Sequence, residues 1–230
     1  MRSAAPLPEG YAATRDALRL VARRVVGAAR YLAVGRMGLE VIPGGFGTPE
    51  FAGRRIDVVG DALRDGERSR RLSTLGDACD FAGVDPDAAL PPALAWSASP
   101  DTSVAVDTDA ARVVAEWYWA GRDALASLVN SAGPEDDPSA PQLWPEHFDL
   151  ALESGAPDCR ANYGVSPGDD GIGEPYAYVG PFTPREGSFW NRDFGAALTY
   201  TEVLAGAEVL DFFLQGCSIL AQSMTGRSPG

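Results

Sequence analysis

The sequence predicts an α+β fold, a mainly antiparallel β-sheet with two long helices and a C-terminal helix packed on it. Three observations lead there. Apolar residues recur at three- and four-residue steps over residues 13–34 and again over 107–130, the period of an amphipathic helix. The extended segments of the second half are separated by turn-forming residues rather than by helices, which implies antiparallel pairing with helices set against the sheet. A last apolar stretch, Ala207 to Leu220, returns to the helical period.

The first ten residues are rich in Pro and Ala and are expected to lack order. From Ala13 to Val34, Leu18, Val21, Val25, Ala28 and Leu32 form the apolar stripe, while Arg15, Arg19, Arg23 and Arg30 fall on another face, read as a solvated surface. Leu39 to Ile42 reads as a short strand. Gly44, Gly45 and Gly47 follow as a tight turn around Phe46, because neither the G-x-G-x-x-G order nor a helix start accompanies them. Ile56, Val58 and Leu63 border a hairpin that carries the Asp65-Gly66 turn signal. A short helix starts at Thr74 as N-cap, places Leu75, Cys79 and Phe81 inward, and stops at Gly83. Val84 to Pro100 is a Pro- and Ala-rich connection.

Asp107 or Thr108 should cap the second long helix, whose buried stripe runs Ala110, Val114, Trp117, Gly121, Leu125 and Leu128 to about Asn130. Tyr118 and Trp119 cannot share that face, so one of them is open to line a pocket. Strands are expected over 148–153, 160–165, 176–179 and 197–203. The final helix should bury Leu210, Phe213, Cys217 and Leu220. This gives a single domain over 11–222 and a frayed tail over 223–230. The acidic, Pro-rich piece SAGPEDDPSAP, residues 131–141, offers a joint between halves 11–130 and 142–222.

Composition narrows the chemistry. The chain has 230 residues, is 45% hydrophobic and 22% charged, and carries a net charge of −13. That balance predicts a globular protein rather than a nucleic-acid binder, since a phosphate backbone would be repelled. No apolar run approaches the roughly 20 residues of a membrane span and no apolar leader opens the chain, so a cytoplasmic location is expected. All 19 cationic side chains are arginines. Without lysine there is no Schiff base, hence no pyridoxal phosphate chemistry, and no P-loop nucleotide site. The single histidine, His147, excludes a multi-histidine zinc centre. Cys79, Cys159 and Cys217 are too widely spaced for a metal knuckle and read as reduced, small buried hydrophobes.

The segment QLWPEHFDLALES raises the question of what that histidine does. If the chain is extended after Pro145, Phe148, Leu150 and Leu152 share the buried face, and His147, Asp149, Ala151 and Glu153 share the other. His147 and Asp149 then form a same-face pair able to act as acid and base or to ligate one ion. Further carboxylates come in SPGDDGIGEPY, as Asp169, Asp170 and Glu174, and would complete a divalent metal set if a hairpin brought them alongside. Aromatic and polar residues cluster in LWPEHFD, ANYG, EPYAY and FWNRD, which makes Trp144, Glu146, Tyr163, Tyr176, Trp190, Asn191 and Arg192 candidate ligand-binding residues.

The strings WPEHFD and SPGD…EPY, with FWNRDFGAALTY, VLDFFLQG and the upstream GRMGLEVIPGGFGTPEF and DTDAARVVAEWY, resemble an uncharacterised actinobacterial protein family, a domain of unknown function. The resemblance covers most of the chain and implies one continuous unit. It implies no reaction, substrate or catalytic residue.

The leading expectation is therefore a small-molecule-binding cleft near the WPEHFD strand, walled by aromatics and set between sheet and helices. A first alternative is a metal-assisted hydrolase or lyase using His147 and Asp149 as catalytic residues. A second is a non-enzymatic interaction module that docks an acidic partner on the stripe Arg15, Arg19, Arg23 and Arg30.

Overall fold

A computed structural model describes residues 6–225 except residue 96. Parts of the expected disordered ends, residues 1–5 and 226–230, lie outside the described residues. The chain packs as two compact units: residues 6–119 with 142–149, and residues 120–141 with those from 150 onward. The fold is α+β, with antiparallel sheets and flanking helices.

In the first unit, helix α1 (Tyr11–Val21) passes through a π-helical segment (Ala22–Gly27) into helix α2 (Ala28–Val34). Leu18, Val21, Val25 and Ala28 are buried as their spacing requires, whereas Leu32 is 47% exposed. Glycine is needed at position 27, because a Cβ there would stand 2.8 Å from the Ala22 carbonyl oxygen and 3.2 Å from the Leu94 and Pro145 side chains. Gly35, in the left-handed region, ends the helix.

The arginine stripe is not a solvated face. Arg15 is 4% exposed and pairs with Asp16. Arg23 donates to the Ala95 and Glu146 carbonyls, Arg24 to that of Pro86 and Arg30 to that of Gly38. Guanidinium groups with several donors satisfy loop carbonyls that helix periodicity does not register.

Strands β1 (Glu40–Ile42), β2 (Gly45–Gly47), β3 (Ile56–Val59), β4 (Ala62–Asp65) and β5 (Arg68–Arg71) form an antiparallel meander in that order. Gly45 and Gly47 thus lie in a strand, with Gly44 in the turn before it, and do not form a turn around Phe46. Phe46 pairs with Val41 and Val58 and is buried with Ile56 and Leu63. A Cβ at Gly45 would collide with the Val58 carbonyl, so these glycines serve close strand packing. The expected hairpin holds, extended by a second turn at Gly60-Asp61. Helix α3 (Leu75–Ala82) begins with Thr74 accepting the Asp77 amide and ends at left-handed Gly83. Helix α4 (Thr108–Ser131) is capped by Asp107, which accepts the Ala110 amide at 2.9 Å. Strand β6 (Gln142–Trp144) joins this unit by bridging Leu143 to Leu39.

The second unit is built on the meander β7 (Asp149–Ser154), β8 (Ala161–Ser166), β9 (Tyr176–Pro181) and β10 (Ala196–Thr199). Its register sets Leu152 against Tyr163 and Tyr163 against Val179. The second half of α4 packs on β8, where Gly121 leaves room for Val165. The strand expected over 197–203 stops at Thr199, because Thr199 and Glu202 form a capping box that starts helix α5 (Tyr200–Leu204). Helix α6 (Val209–Thr225) continues past the boundary expected at 222 and lays Phe213 edge-on to Tyr163, with ring centroids 5.9 Å apart. No described helix is long and apolar enough to cross a membrane.

Candidate functional site

His147 does not lie on a strand. Residues 145–148 form a turn closed by the Phe148 amide donating to the Trp144 carbonyl at 2.7 Å, and β7 begins only at Asp149. Phe148 adopts φ 56°, which reverses the chain there and breaks the alternation that would have put His147 and Asp149 on one face. His147 is exposed and Asp149 is buried. The turn is fixed from the first unit's core: Phe148 sits edge-on to Phe46 and Tyr118, and Tyr118 donates its hydroxyl to the Phe148 carbonyl at 2.6 Å. Tyr118 is thus a fully buried strut. Burial pushes its hydroxyl well above the ordinary phenol value, and Asp149 and Tyr11 add to the rise. Trp144 is half-exposed beside this turn, and the backbone carbonyl of Glu146 accepts from Arg23.

In the second unit the acidic loop works on its own backbone. Asp169 Oδ1 accepts the Gly171 and Ile172 amides, and its Oδ2 accepts the Tyr176 hydroxyl at 2.6 Å. Glu174 accepts both the amide and the hydroxyl of Thr201, 27 residues on. Asp170 is exposed. Among the described residues no group of three or more His, Cys, Asp or Glu side chains could hold a metal ion, so the set His147, Asp149, Asp169, Asp170 and Glu174 is not assembled as a centre. Asn191 spends its amide on both backbone groups of Ala197, Arg192 is exposed, and Trp190 rests against Phe189.

One of the candidates, Tyr163, does line a cleft. The cleft has a volume of about 350 Å³ and lies wholly within the second unit. Its apolar walls include Leu128 and Ala132 from the end of α4, Ala156 after β7, and Leu214 and Ala221 from α6. Its polar atoms come from Ser131, Glu135, Asp136, Ser154, Cys159, Tyr163 and Cys217. Several are held by identifiable devices. Gly155, with φ 114°, ends β7 and donates to the Asp136 carbonyl, which ties the 131–141 segment to the strand. Asp136 itself accepts the Gly133 amide at 2.6 Å. A short 3-10 turn, Pro157–Cys159, brings Cys159 to the wall.

At the floor the Cys217 thiol donates to the Tyr163 hydroxyl oxygen at 3.1 Å, and Tyr163 is 1% exposed. Burial pushes the Tyr163 hydroxyl far above its ordinary value, and the neighbouring Cys217 and Asp136 push it the same way. Burial also raises the Cys217 thiol, partly offset by its bond to Tyr163. Both groups are therefore protonated at neutral pH. The phenol oxygen accepts from the thiol, which leaves the phenolic hydrogen to be donated to a guest.

Sequence reasoning missed Cys159, Cys217, Glu135, Asp136 and Ser154. Cys217 has the spacing of a core position on α6, and the carboxylates lie in a segment with the composition of a linker. Cys217 is half-buried in the structure, where its helical spacing predicts a buried core position. Comparison with protein-family models, curated proteins and solved structures gives no match.

Proposed function

We propose that this chain binds a small molecule in the cleft floored by Tyr163 and Cys217. One observation carries the reading: a preformed, mostly apolar concavity converges on a buried, neutral phenol–thiol pair with a donor hydrogen to spare. Binding sites for small molecules combine apolar walls with a few fixed polar groups in volumes of roughly 300–1,000 Å³. The 350 Å³ here stands at the lower end of that range and suits a guest of modest size.

The phenol is positioned as a ligand-orienting donor rather than as a base, because deprotonating it in this surrounding is strongly disfavoured. The same holds for Cys217 as a nucleophile, whose thiolate is penalised by burial. These features support recognition above bond-making chemistry. Thermal-shift screening against a metabolite library tests the proposal. A ligand that raises the melting temperature should lose that effect in Ala156→Phe, which fills the cleft, and bind more weakly to Tyr163→Phe, which lacks the donor. Stabilisation that survives both substitutions would overturn the assignment.

A further inference from the structure

We infer that the guest is an organic cation, an amine or other ammonium compound on an apolar body; this rests on the cleft reading above and adds the sign of the ligand's charge. Among the described residues, Glu135 and Asp136 are the charged side chains lining the cleft, and no arginine is among the lining residues there. Asp136 acts at the floor as well as at its own position, since it raises the proton affinity of both Tyr163 and Cys217. Arg160, which donates to the Gly155 and Asp137 carbonyls beside the cleft, is paired with Glu153, so the two lining carboxylates set the sign of the charge that faces a guest. Low-dielectric walls focus the field of such charges and strengthen it over its value in open water.

The remaining lining follows the same division. Leu128, Ala132, Ala156, Leu214 and Ala221 can take only an apolar body. The Tyr163 hydrogen can meet an uncharged acceptor on that body, such as an ether, hydroxyl or carbonyl oxygen. A carboxylate or phosphate would have to enter past two like charges, with no cation among the described lining residues to receive it. A ligand carrying its positive charge at one end places that charge beside Glu135 and Asp136 and its apolar end against α6.

The test is a titration of the full chain, followed by protein-observed NMR, with three probes of one shape: phenylbutylammonium, phenylbutanol and phenylbutanoate. The ammonium compound should perturb the residues of the cleft and bind about tenfold or more tighter than the carboxylate. Its advantage should shrink as salt rises, and again in Glu135→Gln and Asp136→Asn. Glu135 is exposed, so Glu135→Gln and the salt series keep the test open should Asp136→Asn fold poorly. Carboxylate binding equal to ammonium binding would overturn the cation assignment and leave the cleft reading standing. Three probes that all leave the cleft unperturbed would count against both.

Discussion

Phe148 holds a large aromatic side chain at φ 56° while keeping it 1% exposed. A left-handed backbone costs a non-glycine residue on the order of 1–2 kcal/mol, so packing against Phe46 and Tyr118 must more than offset it. Phe148→Ala should therefore lower stability by about 3–5 kcal/mol, whereas His147→Ala, at an exposed turn position, should stay within about 0.5 kcal/mol. Denaturant melts of the two variants check this, and a large loss at His147 would contradict the placement. The same residue explains why periodicity puts His147 and Asp149 on one strand face. Alternation assigns His147 and Asp149 to one face only if the chain is extended between them, and a bulky left-handed residue carries no sequence signal comparable to glycine. Tyr163, by contrast, is legible as a candidate from the clustering of aromatic and polar residues in ANYG and its neighbouring strings. Its partner, Cys217, lies 54 residues away in the chain, a pairing that only the fold supplies.

Whole elements were legible where local chemistry decides them. Thr74 and Gly83 bracket α3, Asp107 starts α4, and the apolar stripe of α4 is buried as spaced. They were not legible where contacts between elements decide them, as at the glycine strand β2, whose identity comes from Val58 pressing on Gly45. Two substitutions test this distinction. Gly121→Ala improves intrinsic helix propensity, yet its Cβ would land within the Val165 side chain, so overpacking should win by about 1–3 kcal/mol. A thermal melt showing stabilisation would mean that α4 does not seat against β8 as described. Thr199→Ala removes one half of the capping box over Glu202 and should cost on the order of 1 kcal/mol. The same change should leave β9 and β10 paired, which amide hydrogen exchange can verify.

For the molecule as a whole, alkaline pH is the informative stress. Burial raises the Cys79 thiol to about 11 from its ordinary 9.0. Between those values the unfolded chain has lost that proton and the folded chain retains it, so stability is full below pH 9 and falls as pH climbs. The loss from this group should be on the order of 2 kcal/mol. Tyr118 and Tyr163, both raised by burial, should steepen the decline from about pH 10 upward. Cys79→Ala should flatten the first part of that curve, and urea melts across the range read it directly. The proposed binding cleft belongs to this scale too, because it draws on α4, the 131–141 segment, β7, β8 and α6, which no single stretch of sequence announces. The claim that binding is centred on Tyr163 and Cys217 is tested most directly by a nitrogen–proton correlation map recorded as a stabilising ligand is added. Shifts confined to residues 128–136, 154–163 and 214–221 are the predicted result. Shifts centred on residues 144–149, around His147, with those segments unmoved, would contradict it.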